Sequence, residues 1–378
     1  MIGFQISSQQ KALVAFVEDL VRTKIKPLAL EMDSRGDESF DWRLLDVLAQ
    51  HNLIAPEIPE QYGGRGLDYL TTAMIIEEIA FGCAGLAACM IGTMHAITPI
   101  ILGGTEKQKQ TYLPLLVDSH PNLASFASTE PSGGSDLGKL GTIAVYQDGE
   151  YVLNGCKDYI INGAVANFSM VCANLNPERG RTGLQFFIVP SELIKVNKVR
   201  NKMGLRYANT SQLVFENVTL PEECIVGEER SGYLLMNQTL DYGRAIVGAM
   251  HIGIARAAYE NALHYTRERQ QFGKPIIANQ GVSFPLVEMA TAIEAARFMV
   301  WKASWLIDQD EVNTKEASMA KIMASQVAEQ ITSQALNLMG AIGYTSTCLA
   351  NVYFRDAKAG LAVAGTNNIL KEIVASLL

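Results

Sequence analysis

This 378-residue chain is poor in histidine and clustered cysteine, and it lacks long basic and long apolar runs. Its five histidines include no pair spaced i, i+4 around a carboxylate, as in H-E-x-x-H. The six cysteines (Cys83, Cys89, Cys156, Cys172, Cys224, Cys348) never form C-x-x-C. Spacing therefore gives a metal site no support. The cysteines sit among apolar neighbours and are expected to be buried, reduced thiols of a cytoplasmic protein. Basic runs end at KQK (107–109) and RER (267–269), and the formal charge is −8, which argues against nucleic acid as a partner. Every apolar run is interrupted before the ~18 residues of a membrane span. The opening MIGFQISSQQKALVAF matches neither a secretory signal nor a transit segment. No G-x-G-x-x-G follows a strand, which disfavours a Rossmann nucleotide site.

What is present is a globular composition, 48% apolar and 19% charged, long enough for two or three domains. Residues 1–121 read as an N-terminal α-helical domain. Residues 8–32 form an amphipathic helix with a stop and restart at Pro27, residues 42–53 a second, and DYLTTAMIIEEIAFGCAGLAACMIGTMHAITPIIL one or two buried ones. Thr105 and Gln108 form a T-x-x-Q capping box. Residues 122–230 read as a central β domain, a barrel or sandwich: the pattern alternates around Asp148-Gly149, and 184–190 and 211–220 are further strands. Residues 231–378 read as a C-terminal four-helix-bundle domain. Leu286, Met289, Ile293, Ala296, Val300, Ala303 and Ile307 recur three and four apart, and Met323–Leu338 and Ile246–Ala262 carry similar stripes. Helices this apolar need partners on several sides, which suggests oligomerisation.

Four segments carry candidate chemistry. STEPSGGSDLG (128–138) exposes successive backbone N–H groups beside Thr129 and Ser135, suited to phosphate or a polar ring edge, or else it is an interdomain linker. RERQQFGKPIIANQ (267–280) ends a helix with Arg267 and Arg269; either they cap it, or Arg269 holds a pyrophosphate while Phe272 packs a base or ring. Asp241 and Arg244 in LDYGRA stand one turn apart, as a surface pair or as a site. LNLMGAIGYT (336–345) ends a helix in a Gly turn.

Taken in order, FASTEPSGGSD, DYIING, MGLRYANTSQLVFENVTLPEECIVGE, RERQQFGKP, LNLMGAIGY and VYFRDAK…AGT make the chain resemble the acyl-CoA dehydrogenase family over essentially its whole length. The resemblance implies an α–β–α flavoprotein, usually a homotetramer (otherwise a homodimer), that binds FAD and an acyl thioester of coenzyme A or of acyl-carrier protein. It further implies oxidoreduction at a CH–CH group, with electrons passed to electron-transfer flavoprotein or another redox partner. By resemblance, residues 126–135 (Phe126, Ser128, Thr129, Gly134 and Ser135 among them) line the isoalloxazine, with Thr129 on its polar edge. Ser135 lies near the phosphates or the thioester. Tyr159 and Ile161 stand against the flavin. Arg269, Gln271, Phe272 and Gln280 hold FAD across a subunit interface. Asn337, Gly340 and Ala341 contact the neighbouring adenylate half, and Gly365, Thr366 and Asn368 the pyrophosphate end. Asp241 and Arg244 meet the pantetheine arm.

The family's reaction needs a carboxylate base in one of two places, occupied here by Ala364 and Gly243. A positioned base is worth ~100- to 10,000-fold in rate, so this chain is expected to be slow in ordinary dehydrogenation. Ile161 replaces the usual Thr near flavin N5, and Asn337 the usual Gln. His95, on the helix bordering the acyl pocket, is the candidate substitute base, against a plain buried histidine. Tyr207, Tyr242 and Tyr344 have phenols too weakly acidic for the task, and His251 reads as core. Three functions remain open. One is a dehydrogenase or reductase with a displaced base. Another is different flavin chemistry on the same fold, monooxygenation or a non-redox thioester-enolate rearrangement. The third is a non-catalytic flavin- or thioester-binding subunit.

Overall fold

The computed structural model describes residues 6–35, 40–228 and 231–378, so the expected domain boundary at 230 falls just outside the described residues. The first third holds helices α1 (Ser8–Leu20), α2 (Lys26–Ser34), α3 (Arg43–Ala49), α4 (Tyr69–Gly82), α5 (Ala84–Gly103) and α6 (Glu106–Tyr112). Pro27 does not stop the first helix. Val21–Ile25 wind a single π-helical turn, and Pro27 follows it in the first turn of α2. The Thr105 capping box is formed: Gln108 N–H donates to Thr105 Oγ1 at 3.2 Å, and Thr105 N–H to Gln108 Oε1 at 2.8 Å. The long apolar stretch divides at Cys83, whose φ of −154° and ψ of 103° are extended.

Helix α5 corrects one expectation: with 20 residues it is long and apolar enough to cross a membrane, yet 89% of its most apolar window is buried inside the protein. It is a central core helix.

The middle third is one eight-stranded mixed sheet of β1 (Ala124–Ala127), β2 (Ile143–Gln147), β3 (Glu150–Ile161), β4 (Phe168–Asn174), β5 (Leu184–Pro190), β6 (Lys195–Val199), β7 (Thr210–Pro221) and β8 (Ile225–Val226). The order is β6-β7-β3-β2-β4-β5-β8, and β1 lies parallel on β4. Asp148 and Gly149 both take positive φ (52° and 88°), the geometry of a two-residue hairpin turn. The β3–β7 ladder slips between Lys157 and Ile160. Inside that irregularity Tyr159 is left-handed (φ 59°) and 61% exposed.

Helices α7 (Gly232–Glu268), α8 (Gln280–Asp308), α9 (Thr314–Met339), α10 (Leu349–Ala357) and α11 (Asn367–Ala375) complete the chain, with a short ribbon of β9 (Gln270–Gln271) and β10 (Lys274–Pro275). All seven α8 stripe residues are buried, as are Ile246, Met250, Ile254, Ala258 and Ala262 on α7. On α9 the stripe is buried at Val327, Ile331 and Ala335, and half-buried at Met323 and Leu338. His251 is core: its Nδ1 meets Val247 O at 2.8 Å. Cys156 and Cys348 are half-buried rather than buried, and all six cysteines are unpaired.

Candidate active site

A cleft of about 1150 Å³ lies between the sheet, α5, α7 and the loop entering α11. Its sheet wall begins with Phe126 on β1 and continues through Ser128, Thr129, Gly134 and Ser135. A buried charge pins this segment. Lys157 Nζ donates to Ser128 O at 3.0 Å and to Glu130 Oε1 at 2.7 Å, with both side chains essentially out of solvent. Burial alone would raise the Glu130 carboxyl, but Lys157 and the N–H groups of Gly141 and Thr142 hold it below its ordinary range. The next residue is tied as well, since Asp158 N–H donates to Thr129 O at 2.9 Å. Gly134 lies close to Thr129: a Cβ there would stand 3.2 Å from Thr129 Cγ2.

Tyr159 and Ile161 join this wall, and the Arg200 guanidinium sits 5.2 Å from the Tyr159 ring centre. The wall fits a flavin ring. It offers an apolar floor, a row of hydroxyls and backbone N–H groups at one edge, and no hydroxyl at Ile161. The volume exceeds the ~300–1,000 Å³ of ordinary ligand pockets, so a flavin ring leaves room for a second ligand.

The opposite wall is α7, whose Tyr233, Asn237, Leu240, Asp241 and Arg244 all face the cleft. Asp241 and Arg244 are not a surface pair. Arg244 Nη1 donates to Asp241 Oδ1 at 2.6 Å, both residues are buried, and Thr314 Oγ1 donates to the other Asp241 oxygen. Burial nonetheless wins at both: it lifts the Asp241 carboxyl and lowers the Arg244 guanidinium despite their pairing.

The end wall is the loop before α11. Ala364, Gly365 and Thr366 line the cleft, with Ala364 left-handed (φ 55°). Its carbonyl faces Arg244 Nε at 3.5 Å, and the carbonyl of Gly365 accepts from buried Lys321 Nζ at 2.8 Å. Lys321 also donates to Asn367 Oδ1 at 2.9 Å. Burial, then Arg244, lowers this amine to about 7. Thr366 caps α11 by accepting from Ile369 N–H at 3.3 Å.

His95, on α5, completes the cleft beside Phe126, ring centres 5.9 Å apart. A Cβ built on Gly243 would lie 1.7 Å from His95 Nε2, so the imidazole fills the space of a residue-243 side chain. Nε2 is buried, with no hydrogen-bond partner among the described residues. Burial, with a smaller push from Arg244, lowers the ring to about 4, which keeps it neutral at pH 7.

The other expected residues lie elsewhere. Arg269, Gln271 and Gln280 are exposed around the β9–β10 ribbon, and Phe272 is 94% exposed. Asn337, Gly340 and Ala341 are exposed at the end of α9, and Asn368 is exposed on α11. None of them lines the cleft of its own chain. Burial raises the phenols of Tyr207 and Tyr242 further, and Tyr344 is 83% exposed outside the cleft. The sequence reading missed Tyr233, Asn237 and Leu240. With Asp241 and Arg244 they fall four, three, one and three apart, a partly polar stripe ahead of the largely apolar run Ala245–Ala255 of α7.

Three family models match in series: "Acyl-CoA dehydrogenase, N-terminal domain" over residues 7–120, "middle domain" over 125–218 and "C-terminal domain" over 230–378. An acyl-CoA dehydrogenase of Bacillus subtilis is 38% identical over 99% of this chain and 98% of its own. Butyryl-CoA dehydrogenase from Megasphaera elsdenii superposes with a TM-score of 0.96 at 34% identity, covering 100% of this chain and 99% of its own. The FAD complex of PigA does so with a TM-score of 0.93 at 26% identity, covering 100% and 99%.

Proposed function

The chain belongs to the acyl-CoA dehydrogenase family and is an FAD-dependent flavoenzyme, and from that premise we propose that it oxidises the Cα–Cβ bond of an acyl thioester without a carboxylate base. The observation that carries this reading is the shared cleft. Thr129, Ser135 and Tyr159 on one wall face the Asp241–Arg244 pair on another. When bound, FAD supplies the two-electron acceptor.

The chain's own residues do the rest. The Lys157–Glu130 pair fixes the segment under the ring, Asp241 offers an acceptor to the thioester arm, and backbone N–H groups of the end loop can polarise the thioester carbonyl. His95 is the neutral ionisable side chain at the reacting wall. An imidazole lowered to about 4 is free to accept a proton, yet its conjugate acid releases it readily. Simple acyl thioesters, with weakly acidic α-hydrogens, are therefore poor substrates.

The exposed Arg269, Gln271, Phe272, Gln280, Asn337, Gly340 and Ala341 suit the dinucleotide half of FAD in a neighbouring copy. This supports a homo-oligomer, a tetramer by family habit. The thioester belongs to coenzyme A or a carrier protein, and a redox protein such as electron-transfer flavoprotein takes the electrons.

Anaerobic titration of the bound flavin with a panel of acyl thioesters tests the proposal. Bleaching by at least one thioester, with an enoyl product, is the expected outcome. Flavin that stays oxidised with every thioester, but drives oxygen uptake once reduced, overturns it.

A further inference from the structure

The reacting wall is one carboxylate short. The Arg244 guanidinium is buried behind it beside the Lys321 amine, which is lowered to about 7, and among the described residues Asp241 is the one carboxylate bonded to either. The family's two base positions hold Ala364 and Gly243. The Arg244 charge is felt around the site, where it lowers the proton affinity of both His95 and Lys321. Arg244 also has capacity to spare. Nη1 donates to Asp241 and Nε faces Ala364 O, while Nη2 donates to no described residue. A nearly buried guanidinium with free N–H groups on a cleft is a site for an anionic oxygen.

The wall also lacks a strong proton acceptor. We propose that the acyl group carries its own carboxylate on the α-carbon, a 2-carboxyacyl thioester of malonyl type with at least one β-hydrogen, and that this carboxylate binds Arg244 and leaves as carbon dioxide in place of the α-proton. The proposal rests on the FAD and thioester reading above.

The step balances without a base. The Cα–carboxylate bond breaks and its electron pair forms the Cα–Cβ double bond. The β-hydrogen departs with its pair to the flavin. The thioester loses two electrons, FAD gains them, and the carboxylate's negative charge passes to the reduced flavin. No proton is exchanged at the α-carbon, so Ala364 and Gly243 need none to accept. Arg244 is shared with Asp241, so it orients the departing carboxylate without fully neutralising it.

The test uses the FAD-loaded protein and three coenzyme A thioesters: 2-carboxybutyryl, butyryl, and succinyl, whose carboxylate sits one carbon further out. Calorimetry is expected to give 2-carboxybutyryl at least tenfold tighter binding than butyryl, and succinyl an intermediate affinity. Arg244→Gln should abolish the preference, and Ala364→Glu, which supplies a fixed carboxylate, should reverse it. Anaerobic bleaching by 2-carboxybutyryl should release one carbon dioxide per flavin. Equal binding of 2-carboxybutyryl and butyryl, or bleaching without carbon dioxide, overturns the inference. In either case bleaching by butyryl would leave the dehydrogenase reading standing. An Arg244-dependent preference with no bleaching by any thioester would instead keep the anion site, and remove both the oxidation and the loss of carbon dioxide.

Discussion

The imidazole of His95 and the missing side chain of Gly243 are two halves of one fit, since a Cβ on Gly243 would stand 1.7 Å from His95 Nε2. The two residues therefore cannot vary independently. Gly243→Ala is expected to destabilise by ~1–3 kcal/mol, the usual cost of overpacking, and His95→Ala in the same chain should recover most of it. A double-mutant cycle in thermal or chemical denaturation measures the coupling. Additive single and double effects would refute it.

Ala364→Glu should restore ordinary dehydrogenation. A carboxylate there meets Arg244 from a loop already shaped to present it. Anaerobic bleaching by butyryl-CoA should accelerate by ~100- to 10,000-fold, the range of a positioned base. Stopped-flow absorbance of the bound flavin reads the change directly.

Lys157→Met should loosen the flavin wall. It leaves Glu130 buried and unpaired beneath Ser128, and breaking a buried pair from one side costs ~3–5 kcal/mol. FAD retention on gel filtration should fall with stability. Lys157→Met/Glu130→Leu should recover stability better than FAD affinity, because the tie to Ser128 O stays broken.

Glu57 gives a prediction in pH. It is buried, and among the described residues neither carboxyl oxygen has a partner in bonding geometry. Burial raises it from 4.5 to about 8, its own N–H pulling weakly the other way. The folded state thus keeps a proton that the unfolded chain loses near pH 4.5, so stability falls as pH climbs from 4.5 to about 8 and then levels. Each tenfold change in proton affinity is worth ~1.4 kcal/mol. Glu57→Gln should therefore match the parent near pH 4.5 and exceed it by several kcal/mol at pH 8, in urea titrations at both pH values.

Much of the helical and strand content is legible because apolar spacing records which face is buried. The α8 stripe shows this, all seven residues lying in the core. The Thr105 box and the Asp148-Gly149 turn are legible for another reason: each is closed by side chains or backbone within a few residues. The site divides on the same principle. Thr129, Ser135, Asp241 and Arg244 stand in recognisable local patterns. The meeting of His95 with Gly243 depends on how α5 crosses α7, which no local spacing encodes. The ladder slip that turns Tyr159 into the cleft is equally a matter of pairing with β7. Where apolar spacing ran unbroken, as through Val21–Ile25, it could not show a π turn.

The loop at Ala364 has a consequence for how such a protein changes. Its left-handed backbone is unfavourable for any residue but glycine, by ~1–2 kcal/mol. It is held from outside, by Lys321 on the Gly365 carbonyl and Arg244 facing the Ala364 carbonyl. The direction of the residue-364 Cβ is therefore set by neighbours that do not depend on what that side chain is. Shape and reagent are separable here: one replacement at 364 can exchange the chemistry while the fold, the cofactor wall and the helix beyond stay as they are.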